Sequence, residues 1–170
     1  MNTQRSEEKA AEHLRAGNKL KRKIQVCAQK FKVPREKVFH QLCPTRELDW
    51  INGWECDLVY TTTGYVEPDC IFRTSQDNAL GEGLWLFTEY LPNEKVGIVR
   101  ILGDYLAMHI RISLTDDGDG ASTGTWHITY TALNNEGNQI IEAMPDESAE
   151  IQKAIQGLDF FLNTGELMTS

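Results

Sequence analysis

The chain has 170 residues, 41% of them apolar and 25% charged, so it can bury the core of one domain without disulfides. Its net charge of −8 argues against broad binding to nucleic-acid phosphates, because such binders present a basic surface. No apolar run is long enough to span a bilayer, and the polar N-terminus is unlike a secretory signal. We therefore expect a cytoplasmic protein.

The cysteines of the chain show no metal-binding spacing. They are Cys27, Cys43, Cys56 and Cys70. No two of them form a Cys-x-x-Cys pair, so a zinc site built from them is not expected. We interpret them as reduced, mostly buried thiols, and the sequence indicates no cofactor.

The first elements in chain order are a polar helix, a strand and two short helices. Residues 4–20 are rich in Glu, Ala, Lys and Arg, and with few apolar side chains they predict a thinly anchored helix. We interpret residues 1–22 as an accessory N-terminal helix. Residues 23–33 alternate as a first strand, Pro34 begins a short helix that Pro44 ends, and a second short helix follows.

From residue 54 the apolar period changes from helical to two. The predicted further strands are residues 54–62, 69–75, 83–91, 95–102, 105–114 and 123–133. The breaks between them carry Gly, Asn, Asp and Pro, and such short connections favour antiparallel neighbours. Together with the first strand, they predict an antiparallel sheet of about seven strands.

The strands at 105–114 and 123–133 give the most specific pairing. If residues 116–120 form the hairpin loop, a register with Ile110 opposite Trp126 matches the two apolar faces. One face of the sheet is then apolar, and the other is polar and exposed to solvent.

The C-terminal segment supplies a cover for the apolar face. Residues 135–143 predict a first helix, which Pro145 interrupts. A longer helix is expected from Asp146, its predicted N-cap, to a stop at Gly165. Its apolar stripe consists of Ile151, Ala154, Ile155, Leu158, Phe161 and Leu162.

The predicted α+β order of elements is accompanied by short sequence motifs that resemble those of a known superfamily. The marks are Cys43-Pro44, Arg46-Glu47, Trp50 and Gly53-Trp54, together with a Leu-x-Thr-Gly-Glu ending. Over residues 23–167 the chain resembles the START-like, or SRPBCC, superfamily, and an uncharacterised bacterial subgroup in particular. The resemblance implies a helix-grip fold, in which a strongly curved antiparallel sheet wraps round a long C-terminal helix. It also implies a cavity between them for a hydrophobic or amphipathic molecule, and it carries no catalytic motif.

We expect a non-catalytic protein that binds a lipid-like or polycyclic molecule in that cavity. Large aromatic and sulfur side chains on the inner face favour a cavity, because a solid core usually prefers Leu, Ile and Val. A fully filled core is the alternative. The predicted wall consists of Trp54, Phe72, Tyr90, Met108, Ile110, Trp126, Ile128, Tyr130, Ile151, Ile155 and Leu158.

Polar anchors for the ligand are predicted beside the short helices. Arg46 and Glu47 precede aromatic residues and could hold a ligand's polar head. The alternative is an internal arginine–carboxylate pair that pins the helices to the sheet.

Two other functions stay open, and a metal site is not expected. A cyclase or dehydratase could move protons with Glu47, Tyr90 or Tyr130. A protein-interaction module would need an exposed apolar patch, and an exposed Phe160 would mark a homodimer contact. The predicted register places His109 opposite His127, but on the polar face and without a third ligand, so no metal site is expected.

Overall fold

The computed structural model describes residues 2–15 and 19–169. The first helix, α1, spans Asn2–Arg15, where residues 4–20 were predicted to be helical. Its predicted continuation through residues 16–18 lies outside the described residues. Residues 4–10 are exposed, in keeping with their polar composition.

The other described residues, 19–169, form one antiparallel sheet, three further α-helices and a 3₁₀ helix. The elements are β1 (Arg22–Phe31), α2 (Arg35–Gln41), a 3₁₀ helix (Glu47–Asp49), β2 (Asp57–Tyr60), β3 (Ile71–Thr74), β4 (Gly83–Leu91), β5 (Lys95–Leu102), β6 (Leu106–Gly118), β7 (Ala121–Ala132), α3 (Asn135–Ala143) and α4 (Ala149–Thr164). None of these helices is long and apolar enough to cross a membrane.

The seven strands are ordered β1-β7-β6-β5-β4-β3-β2, and each pairs antiparallel with its neighbours. The predicted α+β class and strand number are therefore confirmed. Pairing shifts by one residue between Leu58 and Tyr60, between Phe87 and Glu89 and between Asp116 and Gly118. Such irregularities bend a strand and increase its twist, which suits a sheet that must curve round a helix.

The predicted register of β6 and β7 is wrong by two residues. Ile112, not Ile110, is opposite Trp126, and Ile110 is opposite Ile128. The hairpin is tighter than the predicted five-residue loop, because β6 continues to Gly118 and leaves a two-residue turn. A slip of two keeps the same side chains on the apolar face, so the one-sided character of the sheet is unaffected.

The same slip corrects the expected histidine pair. His109 is opposite Thr129, and Arg111 is opposite His127. The Arg111 Nη2 and His127 Nδ1 atoms are 3.3 Å apart on the outer face. Among the described residues no group of three potential ligands could hold a metal ion.

The two C-terminal helices follow the predicted break at Pro145. Helix α3 matches its predicted range, and α4 ends at Gly165 with a left-handed φ of 75°. The predicted N-cap Asp146 is wrong, because the Ser148 side chain accepts the Ile151 N–H and caps α4 instead. Serine and aspartate are similarly good caps, so sequence alone did not separate the two positions.

Helix α4 packs on the concave face of the sheet. Ile155 and Leu158 are buried against Trp126 and the aromatic core, as the apolar stripe predicted. Helix α3 crosses the start of β6 and the end of β7 at Gly137, where an added Cβ would collide with the Tyr105 carbonyl oxygen. That close approach explains a glycine inside a helix, where it would otherwise be unfavourable.

Candidate functional site

A cavity of about 510 Å³ lies between the concave face and the connection from α3 to α4. Its lining is mostly apolar and comes from β1, the 80–82 turn, β4 to β7 and the start of α4. The lining includes the side chains of Gln25, Arg100, Met108, Ile110, Ile128, Tyr130 and Ile151. Glu82 and Glu150, which are exposed, lie on its solvent side.

The floor of the cavity is set by the pairing of three central strands. Arg100, Met108 and Tyr130 lie side by side across β5, β6 and β7. Two residues further along β6, and two residues back along β7, Ile110 and Ile128 are paired and form the next row. Because alternate residues of a strand face the same side, the rows form a continuous apolar floor with a cationic edge at Arg100.

The roof is the non-helical stretch between α3 and α4, and side chains of β1 hold it. Pro145 ends the helical pattern and leaves the carbonyls of Met144 and Pro145 without helical partners. The Lys23 ammonium donates to the Met144 carbonyl at 2.5 Å, and the Gln25 amide donates to the Pro145 carbonyl at 2.7 Å. An edge strand thus fixes the roof over the central strands.

Arg100 is the most unusual residue of the site. It projects inward from β5 and is only 6% exposed. Its Nη2 donates to the backbone carbonyls of Leu80 and Glu82 at 2.7 and 2.6 Å, and its guanidinium lies 4.5 Å from the centre of the Trp85 ring. These contacts fix the guanidinium plane and partly replace its lost hydration.

The charge of Arg100 forms no ion pair in the part of the chain that the structure describes, although Glu82 and Glu150 are near enough to raise its pKa. No carboxylate there forms an ion pair with it, and its Nε is buried without a hydrogen-bond partner. Its Nη1 approaches only the Met108 sulfur, at 3.8 Å, and thioether sulfur is a weak acceptor. Burial lowers the pKa of Arg100 to about 10, so the side chain remains a cation at neutral pH.

Two neutral polar groups also face this space. Tyr130 is buried, and burial raises the pKa of its phenol to about 12, so the hydroxyl stays protonated. None of the described residues forms a hydrogen bond with that hydroxyl. The Gln25 Oε1 atom is likewise buried with no partner in the described structure. Buried polar groups normally find partners, so unpaired ones beside a cavity indicate where a ligand or water would bind.

The predicted wall residues separate into three groups. Those on the cavity are Met108, Ile110, Ile128, Tyr130 and Ile151. Those packed in the solid core instead are Trp54, Phe72, Trp126, Ile155 and Leu158. Tyr90 is partly buried at the edge of this core, with its ring 5.3 Å from that of Phe39 on α2, and does not line the cavity.

The solid core also accounts for the polar tip of Trp54. Its indole Nε1 donates to the Pro44 carbonyl at 2.7 Å, so the protein itself supplies the partner. The Trp54 and Phe72 rings are 6.2 Å apart. These aromatic side chains fill the core and leave no cavity between them.

The predicted polar anchors lie away from this cavity. Arg46 lies 4.6 Å from the centre of the Tyr65 ring and, with Tyr90, lines a separate cleft of about 260 Å³. The alternative that Arg46 pairs with a carboxylate is not observed among the described residues. Glu47 is partly buried near Cys56, and burial raises the pKa of its carboxyl to about 8.

Arg100 and Gln25 were not singled out from the sequence, although a signal was present. Arg100 follows Val96 and Ile98 at a spacing of two in β5, which puts a charge on the apolar face. Gln25 alternates with the side chains Ile24 and Val26, which proved to be the exposed face of β1. The signal was a polar residue at a strand position that points toward the core. Recognising it required knowing which face of each strand points inward.

Comparison with known proteins shows what this architecture resembles. No protein-family model matches the sequence, and no curated protein matches it either. Among solved structures, a norcoclaurine synthase from Thalictrum flavum has a TM-score of 0.66 over 86% of this chain and 97% of that one, at 10% identity.

Two bacterial structures are similar to a comparable degree. An uncharacterised protein from Rhizobium leguminosarum has a TM-score of 0.62 over 85% of this chain and 96% of that one, at 13% identity. CalU16 from Micromonospora echinospora has a TM-score of 0.55 over 86% of this chain and 87% of that one, at 12% identity. These proteins share the Bet v1-like helix-grip fold, and the present chain has it too, so the predicted helix grip is confirmed. At such identities the likeness concerns the fold alone.

Proposed function

We propose that the protein binds a small amphipathic molecule, lipid-like or polycyclic, in the cavity between β5–β7 and the start of α4. The observation that carries the proposal is an apolar cavity of about 510 Å³ bordered by Arg100, Tyr130 and Gln25, of which Arg100 Nε and Gln25 Oε1 are buried without a hydrogen-bond partner. Ligand sites in proteins are typically clefts of roughly 300–1,000 Å³ with mostly apolar walls and a few placed polar groups.

The apolar floor would supply most of the binding free energy. Each methylene group of a ligand that leaves water for such a surface contributes about 0.8 kcal/mol. The polar groups would orient the ligand, since a buried donor or acceptor left without a partner is unfavourable. One similar structure, the norcoclaurine synthase, was solved with dopamine and hydroxybenzaldehyde, which are small and part aromatic.

A matched pair of tryptophan variants tests the proposal. Ile110→Trp adds volume inside the cavity, whereas Ser113→Trp adds it on the exposed outer face of the same strand. We expect the wild type and Ser113→Trp to bind a neutral apolar dye, N-phenyl-1-naphthylamine, and Ile110→Trp to bind it at least about tenfold more weakly. Equal binding by the folded variants, or none by the wild type, contradicts the proposal.

A second candidate is an enzyme that protonates or orients its substrate with Tyr130. The unpaired phenol on the cavity floor favours it, while Glu47 and Tyr90, the other predicted proton carriers, lie elsewhere. Native mass spectra distinguish the two candidates. A binding protein should retain the same co-purified mass in Tyr130→Phe, whereas an enzyme should retain its untransformed substrate.

A further inference from the structure

We propose that the ligand of this cavity carries a carboxylate, and that the Arg100 guanidinium binds it through Nη1. The inference rests on the proposed function and adds the chemical class of the ligand. Its basis is the placement of one fixed and buried cation, which forms no ion pair with the described residues, at the edge of an apolar floor.

The direction of the free donor is set by the contacts that hold the guanidinium. Both Nη2 hydrogens are used by the carbonyls of Leu80 and Glu82, and Trp85 covers one face. Nε lies against Gly83, where an added Cβ would come within 2.6 Å of it. Nη1 is left, and its nearest described polar neighbour is the sulfur of Met108, a residue of the cavity floor.

The first turn of α4 adds a second attraction for an anion. Ser148 and Ala149 line the same cavity, and Ser148 Oγ caps only the Ile151 N–H. The backbone N–H groups of Ala149 and Glu150 have no acceptor among the described residues. The N-terminus of a helix carries a partial positive charge, so it and Arg100 would both favour an anion in the space between them.

A single negative charge fits this site better than a phosphate. Nε also lacks a partner but is covered at Gly83, so Nη1 is the nitrogen of Arg100 that a ligand can reach, with one or two hydrogen bonds to donate. The exposed carboxylates of Glu82 and Glu150 line the same cavity and would repel a dianion about twice as strongly as a monoanion. A carboxylate at the end of an apolar body places one charge at Arg100 and the rest of the molecule on Met108, Ile110 and Ile128.

Three ten-carbon probes of equal length test the inference: decanoate, 1-decanol and decylammonium. Each probe is titrated against the wild-type protein loaded with the neutral dye N-phenyl-1-naphthylamine, and the displacement of the dye reports its affinity. We expect decanoate to bind about tenfold or more tightly than decanol, and decylammonium most weakly, because hydrogen bonds to charged partners are the stronger ones.

Two arginine variants test whether Arg100 causes the preference for decanoate over decanol. Arg100→Met keeps a long apolar side chain and should bind decanoate and decanol within about twofold of each other, with decanol affinity retained. Arg111→Met removes the same charge from the outer face and should keep the tenfold preference. If Arg100→Met does not fold, the order of the three probes on the wild type still decides the matter.

The outcomes separate this inference from the proposed function. Equal affinity of the wild type for decanoate and decanol overturns the carboxylate inference and leaves the cavity as a neutral apolar site. A preference for decanoate that persists in folded Arg100→Met also overturns it. If neither the dye nor any probe binds, the proposed function fails, and the inference fails with it.

Discussion

The concave face of the sheet has two ends that are filled in opposite ways. At the packed end, Phe72 stacks on Trp85 with ring centres 5.3 Å apart and planes 12° apart, and Trp54 contacts both rings edge-on. At the cavity end, the floor is formed by Met108, Ile110 and Ile128, and about 510 Å³ stays open. Broad aromatic rings fill the space under a helix, whereas narrower aliphatic side chains under an interrupted helix leave a void.

The two ends also treat a buried ionisable group differently. Near the packed end, burial raises the pKa of Glu47 to about 8, so the carboxyl is largely neutral at physiological pH. At the cavity end, Arg100 remains charged at physiological pH, because burial lowers its pKa only to about 10. Its guanidinium contacts two backbone carbonyls and the Trp85 ring. The packed end thus holds a largely neutral carboxyl and the cavity end a buried cation.

The largest expected effect compares two isoleucines two residues apart on β6. Ile112 is buried opposite Trp126 in the solid core, whereas Ile110 is partly exposed on the cavity floor. Ile112→Ala should lower the free energy of unfolding by about 3–4 kcal/mol, since it opens a new void in packed surroundings. Ile110→Ala should lower it by only about 1–2 kcal/mol, because one side of that residue already lacks packing partners.

Urea denaturation of the two variants measures this difference, with Ser113→Ala on the exposed face as the control. The control should stay within about 0.5 kcal/mol of the wild type. Equal losses for the two isoleucine variants would mean that the floor is as tightly packed as the core, and would remove the contrast between the ends.

Much of the fold could be predicted because its signals are local. Period-two alternation located the strands 83–91 and 95–102 to the residue, and proline and glycine located α3 and the end of α4. The register of β6 and β7 was missed by two because alternation is unchanged by an even shift. The tight turn at Asp119 and Gly120, both with positive φ, sets the register together with the one-residue bulge between Asp116 and Gly118, whereas the sequence pattern had indicated a longer loop.

The candidate site could be predicted only in part, because a void is a property of many contacts at once. Aromatic residues such as Trp54 and Trp126 were expected to line a cavity, but they fill the core. Ile110 and Ile128 were expected on the wall and do line it, although nothing in their own type distinguishes them from Ile112. Arg100 was missed because its inward position matters only once the turn at 80–82 is folded over it.

The second largest expected change in the free energy of unfolding concerns Glu47 and depends on pH. The unfolded carboxyl releases its proton near pH 4.5, and the folded one near pH 8. A folded-state pKa that is raised stabilises the protein below the unfolded pKa, and this contribution is lost as the pH rises through the range to about 8. Glu47→Gln should therefore stay within about 1 kcal/mol of the wild type at about pH 5 and be more stable by about 2 kcal/mol at about pH 8.5. This is less than half of what the full shift would give, because the carboxyl is only partly buried and solvent screens its charge.

Urea denaturation across this pH range measures the difference between variant and wild type. Glu55→Gln changes an exposed carboxylate of the same connection and is the control, expected to leave the pH dependence unchanged. A Glu47→Gln curve parallel to that of the wild type would show that the carboxyl is already ionised in the folded protein, and the contrast with Arg100 would then be lost.

The smallest expected effect concerns the roof of the cavity end. Ser148→Ala removes the cap of the Ile151 N–H and should lower the free energy of unfolding by about 1 kcal/mol. Asp146→Ala, at the position that the sequence had suggested as the cap, loses only an exposed pair with Lys23 and should stay within about 0.5 kcal/mol of the wild type. Because Ser148 lines the cavity and Asp146 does not, Ser148→Ala should also weaken dye binding more than Asp146→Ala does. The reverse ranking in urea denaturation and dye titration would place the start of α4, and with it the roof, at Asp146.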